Sequence, residues 1–261
     1  MINERKKLFL FDIDGTLFDN DQKKVHDSTK QALIELRKTA HVGIATGRAE
    51  FMLYSIADLL DLFDDFVLIN GQYIKSNGSV VYKNTIDPDE LDLLCKKMDE
   101  LDIAYGFQGS SDEAISKIDE RVLESFDKLG LDLPPLDKDY YFKNEVYQAW
   151  AFSNKDQVEI LKQQSSYFQF IKWLDVGYDI LPKSANKGNG VKKLADYLGI
   201  DMKDVIVFGD GDNDFEMIKN AGLGIAMGNA TKKVKEVADF VTTSVGDDGI
   251  SYALKHFGFI K

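Results

Sequence analysis

The sequence predicts an α/β protein: a doubly wound, Rossmann-like parallel-sheet core with an α+β module inserted into it. Three observations carry this. Short, continuously apolar strands alternate with helical patterns over the first eighty residues, the pattern of a parallel sheet buried on both faces. From Thr85 to Pro182 the texture changes to aromatic, strand-like runs with a Pro-Pro loop at 134–135. After Lys187 the alternation of strand and helix returns. Residues 1–84 and 183–261 are therefore assigned to the core and 85–182 to the insertion, which the position of such modules over an α/β crevice suggests is a lid and specificity element.

Taken in order, Lys7–Phe11 reads as a strand and Ser28–Thr39 as a helix with a serine N-cap and apolar positions at Ala32, Leu33 and Leu36. Val42–Ala45 is a strand that runs out into Thr46-Gly47-Arg48. Glu50–Leu60 is helical, and Phe66–Ile69 is a third strand ending at Asn70-Gly71. In the insertion, Asp87-Pro88 starts a helix over Asp89–Leu101. Strands follow at Ala104–Gln108, Val146–Phe152, Tyr167–Trp173 and Gly177–Leu181, with helices near Asp119–Leu129 and Lys155–Gln163. The returning core has helices at Gly190–Leu198, Asp214–Ala221 and Thr231–Ala238. Its strands are Val205–Phe208, Leu223–Ala226 and Phe240–Val241.

Composition narrows the function. A chain of 261 residues with 44% hydrophobic and 29% charged residues has the makings of a globular protein with a proper core. Its formal net charge of −12 argues against nucleic acid or an anionic membrane surface as main partner. No apolar run approaches the length of a membrane span, and Asp12 and Asp14 interrupt the apolar start too early for a secretory signal, so a cytoplasmic location is expected. The lone Cys95 excludes an intramolecular disulfide, and the three histidines lack metal-ligand spacing.

Chemistry concentrates at predicted strand ends. Asp12 and Asp14 stand two apart just past the first strand, where open α/β sheets bind their ligands. Side chains i and i+2 on a strand share a face, and two carboxylates held together call for a cation or a shared proton. A polar turn is the plain alternative. Thr46-Gly47-Arg48 could be only a helix entry, and Lys187 competes with Lys183, Lys192 and Lys193. The run Gly209-Asp210-Gly211-Asp212-Asn213-Asp214 lacks the terminal glutamate of a calcium loop. Four such segments, in order and each at an element boundary, point to one crevice.

These segments resemble the haloacid dehalogenase superfamily, and within it the Cof-like phosphatases with a large cap between the second and third motifs. FDIDGTL (Phe11–Leu17), IATGR (Ile44–Arg48), ILPKSANKG (Ile180–Gly188) and FGDGDNDFEM (Phe208–Met217) match the four motifs. INGQ (Ile69–Gln72) and IAMGNA (Ile225–Ala230) fit the subgroup, with Gln72 departing from its usual small residue. The resemblance implies Asp12 as nucleophile, forming an aspartyl-phosphate, and Asp14 as general acid/base. It implies Mg²⁺ held by Asp12, Asp210 and the backbone carbonyl of Asp14, with Asp214 supporting the metal or Lys187. Thr46, Gly47, Lys187 and Asn213 would hold the phosphoryl oxygens, while Asp212 would face solvent. Arg48 would contact phosphate or pair with a nearby acid. A small phosphorylated metabolite, a sugar phosphate or phosphorylated cofactor precursor, is the implied substrate, and a monomer or weak homodimer is expected. A phosphotransferase or mutase acting on a hexose phosphate is the alternative. A non-catalytic sensor would have lost Asp12, Asp14 or Asp210, and all are present.

Overall fold

The computed structural model describes residues 7–261, so the first residues weighed in the leader-sequence reading lie outside it. The chain divides into two compact units, Met1–Lys83 with Asn186–Lys261, and Asn84–Ala185.

In the first unit the chain runs through β1 (Leu8–Phe11), α1 (Asp27–Leu36), β2 (His41–Ala45) and a 3₁₀ segment at Glu50–Leu62. Then come β3 (Asp65–Leu68), β4 (Tyr73–Ser76) and β5 (Ser79–Lys83). The second unit holds α2 (Pro88–Glu100), β6 (Ala104–Gln108), β7 (Glu113–Ile115) and α3 (Glu120–Leu129). It continues with β8 (Gln148–Phe152), α4 (Lys155–Gln164), β9 (Phe168–Leu174) and β10 (Gly177–Pro182). Back in the first unit are α5 (Lys187–Leu198), β11 (Val205–Gly209), α6 (Phe215–Asn220), β12 (Leu223–Ala226), α7 (Lys232–Lys235), β13 (Phe240–Val241) and α8 (Gly249–His256).

The first unit is an eight-stranded sheet in the order β13-β12-β11-β1-β2-β3-β4-β5. Every pair from β13 to β3 is parallel, as expected; the edge is not, because β4 and β5 form an antiparallel hairpin on β3. Asn77-Gly78, both at positive φ, make the two-residue turn that hairpins favour. Strand alternation sends Leu8 and Leu10 of β1 into a cluster with Val191, Leu194, Met217, Ile218 and Val234 from α5, α6 and α7. Phe9 and Phe11 face the other way, against Phe259 and Phe208 at ring-centroid distances of 4.9 and 4.8 Å. Helices on both faces explain why these strands read as unbroken apolar runs rather than alternating ones.

Three helix boundaries differ from the sequence expectation for identifiable reasons. α1 starts at Asp27, not under a serine cap: the Ser28 hydroxyl donates to Asp248, and the preceding His26 makes no side-chain cap. Glu50–Leu62 is wound as a 3₁₀ helix broken at Ile56 (φ −124°, ψ 21°). The Met52 carbonyl, which an α-helix would offer to the Ile56 N–H, accepts from Arg48 Nη1 at 3.0 Å. α5 begins three residues earlier than its glycine-rich start suggests, because the Asn186 side chain accepts from the Asn189 N–H and caps it.

The second unit is a five-stranded antiparallel sheet, β7-β6-β8-β10-β9. On one face Tyr105, Phe107, Ala149, Ala151 and Ile180 pack with Leu91, Leu94, Cys95, Met98 and Leu161 of α2 and α4. On the other, α3 places Val122 and Phe126 against Ala104, Ile115, Trp150, Phe152 and Trp173. The strand aromatics here therefore build the unit's own core. Asp175 is exposed and pairs with Lys172.

Asp179 of β10 lies between Trp150 of β8 and Ile171 of β9, and burial pushes its carboxyl up to about 7. Charging it in the folded state is therefore unfavourable, and this penalty grows as pH rises through the window from about 4 to 7. Asp179→Asn is expected to be more stable than wild type by about 2 kcal/mol at pH 8, the gap closing towards pH 4. Thermal melts across that range check it; a gap that does not change with pH would refute the assignment.

Candidate active site

The carboxyl ends of β1, β2 and β11 gather the polar residues. β1 and β11 are in register, Phe11 opposite Phe208, so Asp12, one residue past this pair, and Asp210, two past it, emerge at the same edge of the sheet. The loop after β1 is tightly pinned: Leu17 N–H donates to Asp12 O, Phe18 N–H to Ile13 O and Gly15 N–H to Phe18 O. Gly15 sits at φ +76°, and a Cβ there would come 2.3 Å from Asp210 Oδ2. Only glycine lets the first loop approach the acid of the fourth motif this closely.

Asp12, Asp210 and Asp214 each offer a carboxylate oxygen within 4.8 Å of the others. Lys187, fully buried at the start of α5, donates to Asp12 Oδ1 at 2.6 Å and Asp214 Oδ1 at 2.7 Å. Asp214 Oδ2 accepts the N–H groups of Asp210 and Gly211, both at 2.9 Å, so both of its oxygens are engaged by the protein. Asp210 accepts from Thr16 Oγ1 and from Asn229 Nδ2, each at 3.2 Å. Asn229 is itself fixed, donating to Gly15 O and accepting from the Val245 N–H.

Burial, then the Asp214 charge, push the Asp12 carboxyl well above the usual range, against the opposing pull of Lys187. Burial and Asp214 also raise Asp210, to about 6. Burial alone would lower the Lys187 ammonium; the charges of Asp12 and Asp214 outweigh it and hold Lys187 above the ordinary lysine value. One ammonium faces three carboxylates. An all-oxygen set with excess negative charge suits a hard divalent cation such as Mg²⁺.

A second group lies beside the first. The strained turn after β3 has Ile69, Asn70 and Gly71 all at positive φ (49°, 52° and 88°). Such strain persists only where surrounding structure enforces it. Here Asn70 N–H donates to Thr46 O and Ile69 N–H to Arg48 O, fastening the turn to the loop after β2. A Cβ on Gly71 would meet the Asn186 carbonyl at 2.6 Å, so the start of α5 also packs against this turn. Asn213 Nδ2 reaches Asn70 Oδ1 at 3.4 Å, and Gly47 adjoins the same Asn70 side chain. Buried Thr46 accepts the Arg48 N–H on its hydroxyl.

Of the residues singled out in the sequence, Asp12, Asp210, Asp214 and Lys187 form one cluster, and Thr46, Gly47 and Asn213 surround Asn70. Asp14 makes a bidentate pair with Arg48 (Nε to Oδ2 2.9 Å, Nη2 to Oδ1 2.7 Å). Asp212 is exposed and accepts from Thr231. Thr16, Asn70 and Asn229 carry parts of the geometry that sequence reasoning gave no role. Asn70 and Asn229 fall within INGQ and IAMGNA, whose presence was the available signal.

A largely parallel α/β sheet with an acidic, lysine-buttressed centre at its carboxyl edge is the architecture of a doubly wound fold with its site at the strand ends. The chain belongs to the haloacid dehalogenase-like hydrolases, whose family model matches residues 9–254. A Bacillus subtilis (strain 168) protein, YkrA, whose name assigns it to the phosphatases, is 37% identical over 257 residues, covering 98% of this chain and 99% of its own. The same organism's 5-amino-6-(5-phospho-D-ribitylamino)uracil phosphatase YcsE is 29% identical, over 96% of this chain and 95% of its own. Among solved structures, the subclass IIB sugar phosphatase BT4131 superposes with a TM-score of 0.86 at 29% identity, covering 97% of this chain and all of that one. These relatives within the family are named as phosphatases. No helix among the described residues is long and apolar enough to cross a membrane.

Proposed function

We propose that this chain is a Mg²⁺-dependent phosphatase that hydrolyses small phosphomonoesters through an aspartyl-phosphate on Asp12. The observation that carries the reading is the contact of Lys187 with Asp12 inside a cluster that also includes Asp210 and Asp214. Asp12 and Asp210, with the backbone carbonyl of Asp14, would hold the metal, which supplies positive charge to neutralise the carboxylates and the phosphoryl oxygens. Asp214 is the support, since Lys187 and two backbone N–H groups already use its oxygens.

In the first half-reaction a carboxylate oxygen of Asp12 attacks phosphorus and the ester P–O bond breaks. The leaving alkoxide takes a proton from the Asp14 carboxyl. In the second, water attacks the aspartyl-phosphate, gives its proton to Asp14, and orthophosphate leaves with Asp12 regenerated. Lys187 keeps Asp12 oriented and its ammonium positive beside the transferring group. Thr46, the Gly47 N–H and Asn213 supply neutral donors to the phosphoryl oxygens. The substrate class follows the relatives: a sugar phosphate or a phosphorylated cofactor precursor, with the second unit serving as the specificity module.

The test is phosphate release from a panel of phosphorylated metabolites with Mg²⁺ and with EDTA. Release that EDTA stops and Mg²⁺ restores is expected, and the panel ranks the substrates. Wild-type protein that frees no phosphate from any ester would sink the hydrolase reading. Isomerisation of a hexose phosphate in its place would identify a mutase.

A further inference from the structure

Asp14 is a half-exposed acid whose two oxygens are both taken by one guanidinium. That guanidinium is itself immobilised. Arg48 Nη1 donates to Met52 O at 3.0 Å and to Ser55 Oγ at 3.3 Å, and the Tyr54 ring lies 5.8 Å from its Cζ. The Arg48 backbone is fixed as well, its N–H on Thr46 Oγ1 and its carbonyl accepting from Ile69. Arginine is thus tied at one end to the loop after β2 and at the other to the 3₁₀ segment, and it presents a rigid fork to the carboxylate. A bidentate pair fixes the plane of a carboxylate, which a single hydrogen bond does not. Each oxygen still has a second lone pair, so the clamp leaves the carboxyl able to exchange a proton.

We propose that Arg48 is the positioning residue of Asp14, orienting its carboxyl towards the leaving-group oxygen. This rests on the role given to Asp14 above. Phosphate binding by Arg48 is the competing use, and it would require breaking the pair. The two differ in which substrates suffer when Arg48 is lost. An acid that donates to the leaving group matters greatly for an alkyl ester, whose alkoxide cannot leave unprotonated, and little for p-nitrophenyl phosphate, whose phenolate can.

The experiment measures kcat/KM for Arg48→Gln and Arg48→Lys on p-nitrophenyl phosphate and on the best alkyl phosphate of the panel, with Mg²⁺. Because kcat/KM ends at the first irreversible step, it isolates attack on the ester from later water attack. Arg48→Gln is expected to lose at least about 30-fold more on the alkyl ester than on the aryl ester, somewhat less than the 10²–10⁴ that complete loss of general acid–base catalysis would remove, because the acid itself is still present. Arg48→Lys should show the same selectivity in weaker form, since an ammonium cannot clamp both oxygens. Equal losses on both esters, or a rise in KM shared by both, would overturn the proposal, as would no loss on either. Thermal melts of both variants exclude misfolding as the cause of a selective loss, because a folding defect lowers both activities together. Metal-dependent release by wild type that Asp12→Asn abolishes reports on the hydrolase reading separately; its absence would remove both.

Discussion

Asp12→Asn is expected to lose about 10⁴-fold or more of its phosphate-releasing activity, on the scale seen when a nucleophile is removed, and to melt no lower than wild type. The two halves of that expectation come from different physics. The amide is too weak a nucleophile to form the acyl phosphate, so chemistry stops. Stability moves the other way because the Asp12 carboxylate is unfavourable where it stands: it is buried, and the Asp214 charge repels it. Lys187 retains its 2.7 Å contact with Asp214 in the variant, so the ammonium is not left without a counter-charge. Phosphate release assayed with Mg²⁺ and thermal unfolding followed in EDTA decide the matter. A variant that hydrolyses esters at even a hundredth of the wild-type rate would show that Asp12 is not the nucleophile. A variant that melts well below wild type would show that Asp12 is structural.

Much of this centre was legible in the sequence because its parts sit where elements end. Asp12 and Asp14 follow an apolar strand, the aspartates at 210 and 214 follow another, and Lys187 opens a helix. The parallel core was readable from strands of four or five unbroken apolar residues. The antiparallel edge was less so: Ser79–Lys83 has an exposed or half-buried face throughout, and only Asn77-Gly78 announced the turn. The final helix, Gly249–His256, follows a loop of Gly and Asp and starts from Asp248 in the left-handed region, so no ordinary cap marked it. Tertiary contacts concealed other features. Nothing local indicates that Asn229 reaches Gly15 and Asp210, 214 and 19 positions away. Arg48 could be assigned to phosphate or to an acid with equal justice from sequence, and only the fold brings Asp14 to its fork.

Lys187→Met is the sharper probe of the site's balance, because it removes the ammonium that pairs with Asp12 and Asp214. Lys187 is completely buried and its ammonium is held above the ordinary lysine value, so its stabilising contribution is present across the neutral range and disappears only above the usual lysine titration. Breaking a buried pair by deleting one partner typically costs about 3–5 kcal/mol. In EDTA at pH 8, Lys187→Met is expected to be destabilised by roughly this amount, since methionine fills the space without the charge. The deficit should shrink as pH falls through about 6, where Asp210 titrates, because protonation then relieves the repulsion that Lys187 had offset. Added Mg²⁺ should recover more stability in the variant than in wild type, the cation taking over part of the neutralisation. Activity should remain low even then, as the metal does not restore the ammonium beside Asp12. Melting curves at pH 8 and pH 5, each with EDTA and with Mg²⁺, test the set. Equal stability of variant and wild type at pH 8 in EDTA would mean that the three carboxylates do not share their negative charge there, and the argument for a divalent cation at this cluster would fall with it.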